Sequence, residues 1–153
     1  MKSFVMHTPI GTLEVQSEKE WIVGIDFVKK EETEPGTPLL KEAKKQLEEY
    51  FSGKRKNFSL PLQPRGTEFQ KKVWTQLEKI PYGETKSYGE IAKEIGNPKG
   101  ARAVGMANNR NPISIAIPCH RVIGKDGKMV GYGGGLEKKV YLLELEKNLG
   151  EKV

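Results

Sequence analysis

The chain has 153 residues, 36% of them apolar and 30% charged, enough for one globular domain or two small subdomains with a buried core. No apolar run approaches the roughly 20 residues that cross a bilayer, and Met1-Lys2-Ser3-Phe4-Val5 opens no stretch of signal-peptide character, so a soluble, intracellular protein is expected. The net charge of +6 comes entirely from the second part: residues 1–60 carry 10 Lys+Arg against 10 Asp+Glu, residues 61–153 carry 16 against 10.

The first elements read as strands. Phe4-Val5-Met6-His7 and Gly11-Thr12-Leu13-Glu14-Val15 are short and partly alternating, with a Pro9/Gly11 turn between them. Trp21 to Val28 reads as a third, more buried strand. Lys29 to Pro38 is a charged loop. Leu40, Ala43, Leu47, Tyr50 and Phe51 then recur at helical spacing, and Ser52-Gly53 ends the helix. Phe58 to Leu62 reads as a further short strand. Gln63-Pro64-Arg65-Gly66 is a linker, which divides the chain into residues 1–62 and 67–153.

Thr67 opens the next helix, with Gln70 as its capping-box partner. Phe69, Val73, Trp74, Leu77 and Ile80 form its apolar stripe, and Pro81-Tyr82-Gly83 stops it. Ser87 and Glu90 make a second capping box ahead of Tyr88, Ile91, Ala92 and Ile95. After Gly96-Asn97-Pro98-Lys99-Gly100 another short helix runs from Ala101 to about Asn108. Two short helices around a glycine-containing turn are a helix-turn-helix pattern, found both in DNA-binding proteins and as plain structure. Ala101, Ala103, Gly105 and Ala107 are small enough for close approach to a partner helix or a nucleic-acid groove, and Arg102 is the long cation among them. Between Glu94 and Asp126 there is no acidic residue, while Lys99, Arg102, Arg110, Arg121 and Lys125 are all present. This field suits a polyanion or is a solvated basic surface.

Ile113-Ser114-Ile115-Ala116-Ile117 alternates and predicts a strand that delivers Pro118-Cys119-His120-Arg121-Val122. Cys119 is the single cysteine, and His7 and His120 are the only histidines. No disulfide within the chain is possible, and the usual structural zinc sets of about four Cys/His ligands are out of reach. A thiol beside an imidazole in a basic surround is a nucleophile candidate; a lone intracellular cysteine is more usually buried and inert, here beside a surface histidine. Neighbours on extended chain point apart, so action of His120 on Cys119 requires a bridging water or a sharp turn. Gly124 to Leu136 is glycine-rich around Tyr132, permitting backbone to approach a flat ligand or forming a mobile loop. It lacks the helix entry of a phosphate-binding motif, so no nucleotide cofactor is expected. Leu136, Val140, Leu143 and Leu145 give the last helix its apolar side, with Lys138, Lys139, Glu144 and Glu146 polar and Glu146 read by default as an ordinary solvated carboxylate.

In this order and spacing, Tyr82-Gly83-Glu84, Ser87-Tyr88, Gly96-Asn97-Pro98, Ala101 to Gly105, Asn111-Pro112, Pro118 to Val122 and Tyr132 to Leu136 resemble the O6-alkylguanine-DNA alkyltransferases. The specific part covers about residues 66 to 147; the N-terminal part is similar only in general design. The resemblance implies an α+β fold, with a small N-terminal β-sheet and helix of RNase H-like type. A mostly helical C-terminal domain with a helix-turn-helix would follow. It implies stoichiometric, single-turnover transfer of the alkyl group of O6-methylguanine, and of O4-methylthymine, from double-stranded DNA to Cys119. No metal or cofactor is implied, and the protein would be a cytoplasmic monomer, nucleoid-associated when on DNA. His120 would deprotonate Cys119 through a water, Glu146 would polarise the imidazole, Asn111 would brace the turn and Tyr88 would donate to the leaving purine. Tyr132, Gly133 and Gly134 would wall the pocket, with the carbonyls of Cys119 and Val122 accepting from the exocyclic amine. Arg102 would enter the duplex where the nucleotide flips out, with Ala101, Ala103, Ala107, Ser87, Tyr88 and Lys99 on the DNA side. Asn108-Asn109-Arg110 departs from the best-known members. Ser114 stands where they often have proline, a change that bears on tolerance for bulky alkyl groups. The alternatives are a non-catalytic alkyltransferase-like lesion-binding protein, which lacks the cysteine, and a sequence-reading helix-turn-helix regulator.

Overall fold

The computed structural model describes residues 1–132 and 134–150, with side chains to residue 147. The chain forms two compact units, Met1–Arg65 with Pro112–Ser114, and Gly66–Asn111 with Ile115–Val153.

In the first unit, β1 (Lys2–Thr8), β2 (Gly11–Glu18) and β3 (Trp21–Phe27) make an antiparallel meander in the order β1-β2-β3. Period-two alternation buries Leu13, Val15 and Ser17 on β2. The helix α1 (Pro38–Phe51) starts from Thr37, whose hydroxyl accepts from the Leu40 amide, with Pro38 in the first turn where its missing N–H is harmless. Leu40, Ala43, Leu47 and Tyr50 recur at helical spacing and are fully or almost fully buried. Each large side chain among them contributes about 1.5–3 kcal/mol by leaving water. Phe58 to Leu62 does not form the expected strand. Only a single parallel bridge, Ile22↔Leu62, forms, because Pro61 has no N–H to extend a ladder and offers only its carbonyl, to Ile22 N at 2.8 Å.

In the second unit the helices are α2 (Glu68–Glu78), α3 (Tyr88–Glu94), α4 (Ala101–Asn109) and α5 (Leu136–Gly150). Both expected capping boxes form, Thr67 with Gln70 and Ser87 with Glu90. Val73, Trp74, Leu77, Ile91, Ala92 and Val104 are buried, and the Trp74 indole donates to the Ala107 carbonyl at 2.8 Å, fastening α2 to α4. The turn of the helix-turn-helix closes with Gly96 at φ 79° and Asn97 N donating to Ala92 O at 2.9 Å. A two-residue parallel pairing joins β4 (Lys86–Ser87) to β5 (Val122–Ile123). That pairing sets the start of α3, and with it Tyr88, beside the chain leaving Cys119.

Two expectations are corrected here. Residues 113–117 are not a strand. Ile113 pairs only as an isolated bridge with Ile25, and Ile115 takes φ 73°, a costly conformation for a β-branched residue that turns the chain. The alternation is real, since Ile113, Ile115 and Ile117 are all buried, but irregular chain satisfies it. On α5 the buried side is Lys139, Leu142 and Glu146, while Leu136 is 47% exposed. The helix turns two charged residues inward because partners for both lie within the unit.

Candidate active site

Cys119 opens a single tight turn, Cys119–Arg121, that follows Pro118. Cys119 N donates to Ile117 O at 2.8 Å and Arg121 N to Pro118 O at 3.0 Å. This is a sharp turn of the kind that a thiol and an imidazole adjacent in sequence would need in order to act together. It makes three consecutive side chains diverge into the unit, leaving Cys119 5%, His120 0% and Arg121 6% exposed.

Two asparagines hold the turn. Asn111 Nδ2 donates to Ile117 O at 2.8 Å and Asn108 Nδ2 to Cys119 O at 3.3 Å. Burial pushes the Cys119 thiol up to about 11, against the pull of the Asn111 amide and the positive charge of Lys139. The resting sulfur is therefore a thiol, which would need a base to act as a nucleophile.

His120 Nε2 lies 2.6 Å from Glu146 Oε2. Burial pushes the Glu146 carboxyl up, but the hydrogen bonds and charges of His120 and Arg121 outweigh it and hold the group at about 2. An ionised carboxylate only accepts, so Nε2 carries the proton and Nδ1 keeps its lone pair. Burial lowers the imidazole's affinity for a second proton, against Glu146, and the ring is neutral. Nδ1 is buried with no hydrogen bond to the described residues, which leaves it available as a base.

Arg121 was expected to lend a diffuse field; its charge is instead spent on Glu146. Its Nε donates to Oε1 at 2.8 Å, its Nη2 to Oε2 at 3.0 Å, and its Nη1 to Ile80 O at 2.7 Å. Gly83 N adds a bond to Glu146 Oε1 at 3.3 Å. Glu146, which composition alone reads as solvated, is thus held by His120, Arg121 and Gly83 together.

Tyr88 is half-buried at the start of α3, and its hydroxyl donates to Val130 O at 2.9 Å. Burial, and then the neighbouring Cys119 whenever its sulfur is ionised, raise its pKa, so it stays a proton-bearing donor. Gly131, at φ 63°, passes close to it: a Cβ there would lie 3.2 Å from Asn109 Oδ1 and 3.3 Å from the Tyr88 hydroxyl. Tyr132 and Gly134 are half-buried in the same segment; Gly133 lies outside the described residues. Val122 is buried on β5 and its carbonyl accepts from Lys139.

Of the residues expected on the DNA side, Arg102, Ala103 and Lys99 are exposed, and Ala101, Ser87 and Tyr88 are half-buried. Ala107 is only 3% exposed and lies on the packed side of α4, where its carbonyl meets Trp74. Ser114, at the position often proline in the resembled family, donates its amide to Ile25 O at 3.0 Å, a bond proline would forfeit. Lys139 and Asn108 escaped the sequence reading. Their signal was faint: Lys139, Leu142 and Glu146 share one face of a helix by spacing, and Asn108 follows Ala107 on the inward side of α4. Among the described residues no group of three His, Cys, Asp or Glu could hold a metal ion, and no helix is long and apolar enough to cross a membrane.

Known proteins resemble the chain over nearly its whole length. Residues 68–148 match the family described as 6-O-methylguanine DNA methyltransferase, DNA binding domain, and residues 1–64 its ribonuclease-like domain. A Methanosarcina acetivorans methylated-DNA–protein-cysteine methyltransferase is 51% identical over 149 residues, covering 93% of this chain and 96% of that one. The constitutive enzyme of that name from Bacillus subtilis is 50% identical over 151 residues, covering 92% of each. A Mycobacterium tuberculosis relative solved in complex with DNA superposes with a TM-score of 0.88 at 46% identity, over 95% of this chain and 92% of that one.

Proposed function

The chain belongs to the 6-O-methylguanine DNA methyltransferase family, and from that premise we propose that it repairs alkylated double-stranded DNA by moving the alkyl group of O6-methylguanine onto Cys119. The observation that carries this reading is the buried pairing of His120 with Glu146 at 2.6 Å, directly beside the single cysteine.

The thiol proton of Cys119 passes through a water to Nδ1 of His120, and Glu146 stabilises the imidazolium that forms. The sulfur attacks the methyl carbon in line. The S–C bond forms as the O6–C bond breaks, and the bonding pair stays on guanine, which leaves as an anion. Tyr88 turns from Val130 to donate to that purine. The thioether has no leaving path back, so each molecule acts once, without metal or cofactor. Asn111 braces the turn, the carbonyls of Cys119 and Val122 accept from the exocyclic amine, and Tyr132, Gly133 and Gly134 wall the pocket.

The base is out of reach within the duplex and is flipped out at a cost of about a few kcal/mol. Arg102, exposed on α4, fills the vacated space and offsets part of that cost. Ala101 and Ala103 let α4 approach the minor groove, with Ser87 and Lys99 at its margin. O4-methylthymine is a second substrate of the same pocket. The protein works as a cytoplasmic monomer, nucleoid-associated on DNA, with residues 1–62 as an N-terminal domain, 63–66 as linker and 67–153 as the catalytic and DNA-binding domain.

Intact-mass spectrometry after mixing with an O6-methylguanine oligonucleotide tests this. One increment of roughly 14 Da on the peptide bearing Cys119 is expected of a stoichiometric covalent acceptor. DNA bound with no increment would reject alkyl transfer.

A further inference from the structure

Asn108 is 1% exposed and stands on the inward side of α4, next to its last residue. The other buried residues of that helix, Val104 and Ala107, are apolar, and asparagine is a weaker helix former than leucine or methionine. An apolar side chain would fill this place at lower cost. The amide Nδ2 donates to the Cys119 carbonyl at 3.3 Å. A carbonyl only accepts, so the nitrogen must face it, and that fixes which way round the amide lies. The amide oxygen is turned elsewhere, where it is buried and makes no hydrogen bond among the described residues. Native interiors rarely leave an acceptor in that state.

The groups around this amide are those of the reacting centre. The Tyr88 hydroxyl lies beside it, and the amide draws the tyrosine pKa down against the effect of burial. The Cys119 carbonyl is crowded, because Val122 N donates to it as well as Asn108 and such an oxygen has two lone pairs. The Val122 carbonyl takes the Lys139 ammonium, which leaves it one place. The exocyclic amine of guanine carries two protons. Asn108 Oδ1 has both lone pairs empty and is the acceptor that this corner of the unit has to spare.

We infer that Asn108 is a base-reading residue: its Oδ1 accepts from the exocyclic amine of the flipped guanine, beside the carbonyls of Val122 and Cys119, and so favours guanine lesions over bases without that amine. The inference rests on the alkyl-transfer reading above and names a side chain that selects its substrate. No internal bond has to break. Nδ2 keeps the Cys119 carbonyl, and the buried oxygen gains on binding the partner that folding alone does not give it. A base without the amine leaves that oxygen unpaired, and a site with a stranded polar group discriminates against such a base.

Single-turnover methyl transfer from two duplexes tests this. One carries O6-methylguanine, the other O6-methylhypoxanthine, the same base without its exocyclic amine. Wild type is compared with Asn108→Leu, which is close in size, and with Asn108→Ala, which crowds nothing. Wild type should transfer from the guanine lesion about tenfold faster than from the hypoxanthine lesion. In the variants that ratio should shrink by about threefold or more. Asn108 also holds the Cys119 turn, but whatever the variants lose through the turn they lose on both duplexes, so the ratio isolates the amine. A ratio that stays within about threefold of wild type in every folded variant would overturn the inference. So would a wild type that prefers guanine by less than about threefold, or loss of folding in both variants. Wild-type protein that gains no methyl from either duplex rejects the functional reading itself; wild-type transfer with an unchanged ratio in the variants rejects only the role of Asn108.

Discussion

The Glu146 carboxylate stands 2.6 Å from the His120 imidazole with neither side chain exposed, although 26 positions separate them in sequence. Arg121 holds both oxygens of the same carboxylate. The buried anion is therefore balanced by a guanidinium that cannot lose its proton, and the imidazole can remain neutral with Nδ1 open. A His–Glu pair without the arginine would share one negative charge in a water-poor interior and resist ionisation.

Glu146→Gln should therefore damage both fold and reaction. It strands the Arg121 charge in the interior, and breaking a buried pair costs about 3–5 kcal/mol. Denaturant unfolding should show a loss of that order, and methyl transfer measured where the variant is still folded should be slower. Stability within about 0.5 kcal/mol of wild type, the range of ordinary surface substitutions, would place Glu146 outside the network.

Acid sensitivity follows from the same group, whose folded pKa is about 2 against an ordinary 4.5. A depressed carboxyl contributes stability that is fully present above the ordinary value. As the pH falls from there toward 2, the unfolded chain takes up the proton before the folded one, and the contribution is lost. Denaturant midpoints across that window should fall more steeply for wild type than for Glu146→Gln. Parallel slopes would refute the assignment.

Cys119→Ala should abolish the mass increment while leaving affinity for duplex DNA within about twofold, since the thiol is 5% exposed and meets no phosphate. Any methyl still acquired after exposure to an O6-methylguanine oligonucleotide would assign the acceptor elsewhere.

Arg102→Ala should separate duplex repair from chemistry. An exposed cation on α4 that fills the space of a flipped nucleotide matters only when there is a stack to fill. Transfer from duplex should slow by about tenfold or more, while reaction with a free O6-alkylguanine base changes little. Equal losses on both substrates would argue against that role.

Much of the fold was legible because it is encoded locally. The boxes Thr67–Gln70 and Ser87–Glu90 span three residues each and form as read. The stripe of α1 needs only its own spacing to choose a face. The strand expected over 113–117 failed for the complementary reason. Alternation reports which residues are buried, but a ladder also needs a continuous neighbour, and residues 113–117 form only isolated bridges.

The sequence by itself determined the single thiol, the adjacent imidazole, the acid-free stretch around them and the helix-turn-helix that follows Ser87. Each is a property of residue types or of contacts a few positions apart. Only the tertiary structure decided which charges are buried. Lys138 and Lys139 are indistinguishable as letters, yet the second is enclosed by three carbonyls. Glu146 becomes a fixed anion only because His120 and Arg121, 26 and 25 positions away, reach it from a turn whose geometry depends on Pro118 and the two asparagines. Charge compensation in a low-dielectric interior depends on distances between remote segments, and those distances exist only once the chain has folded.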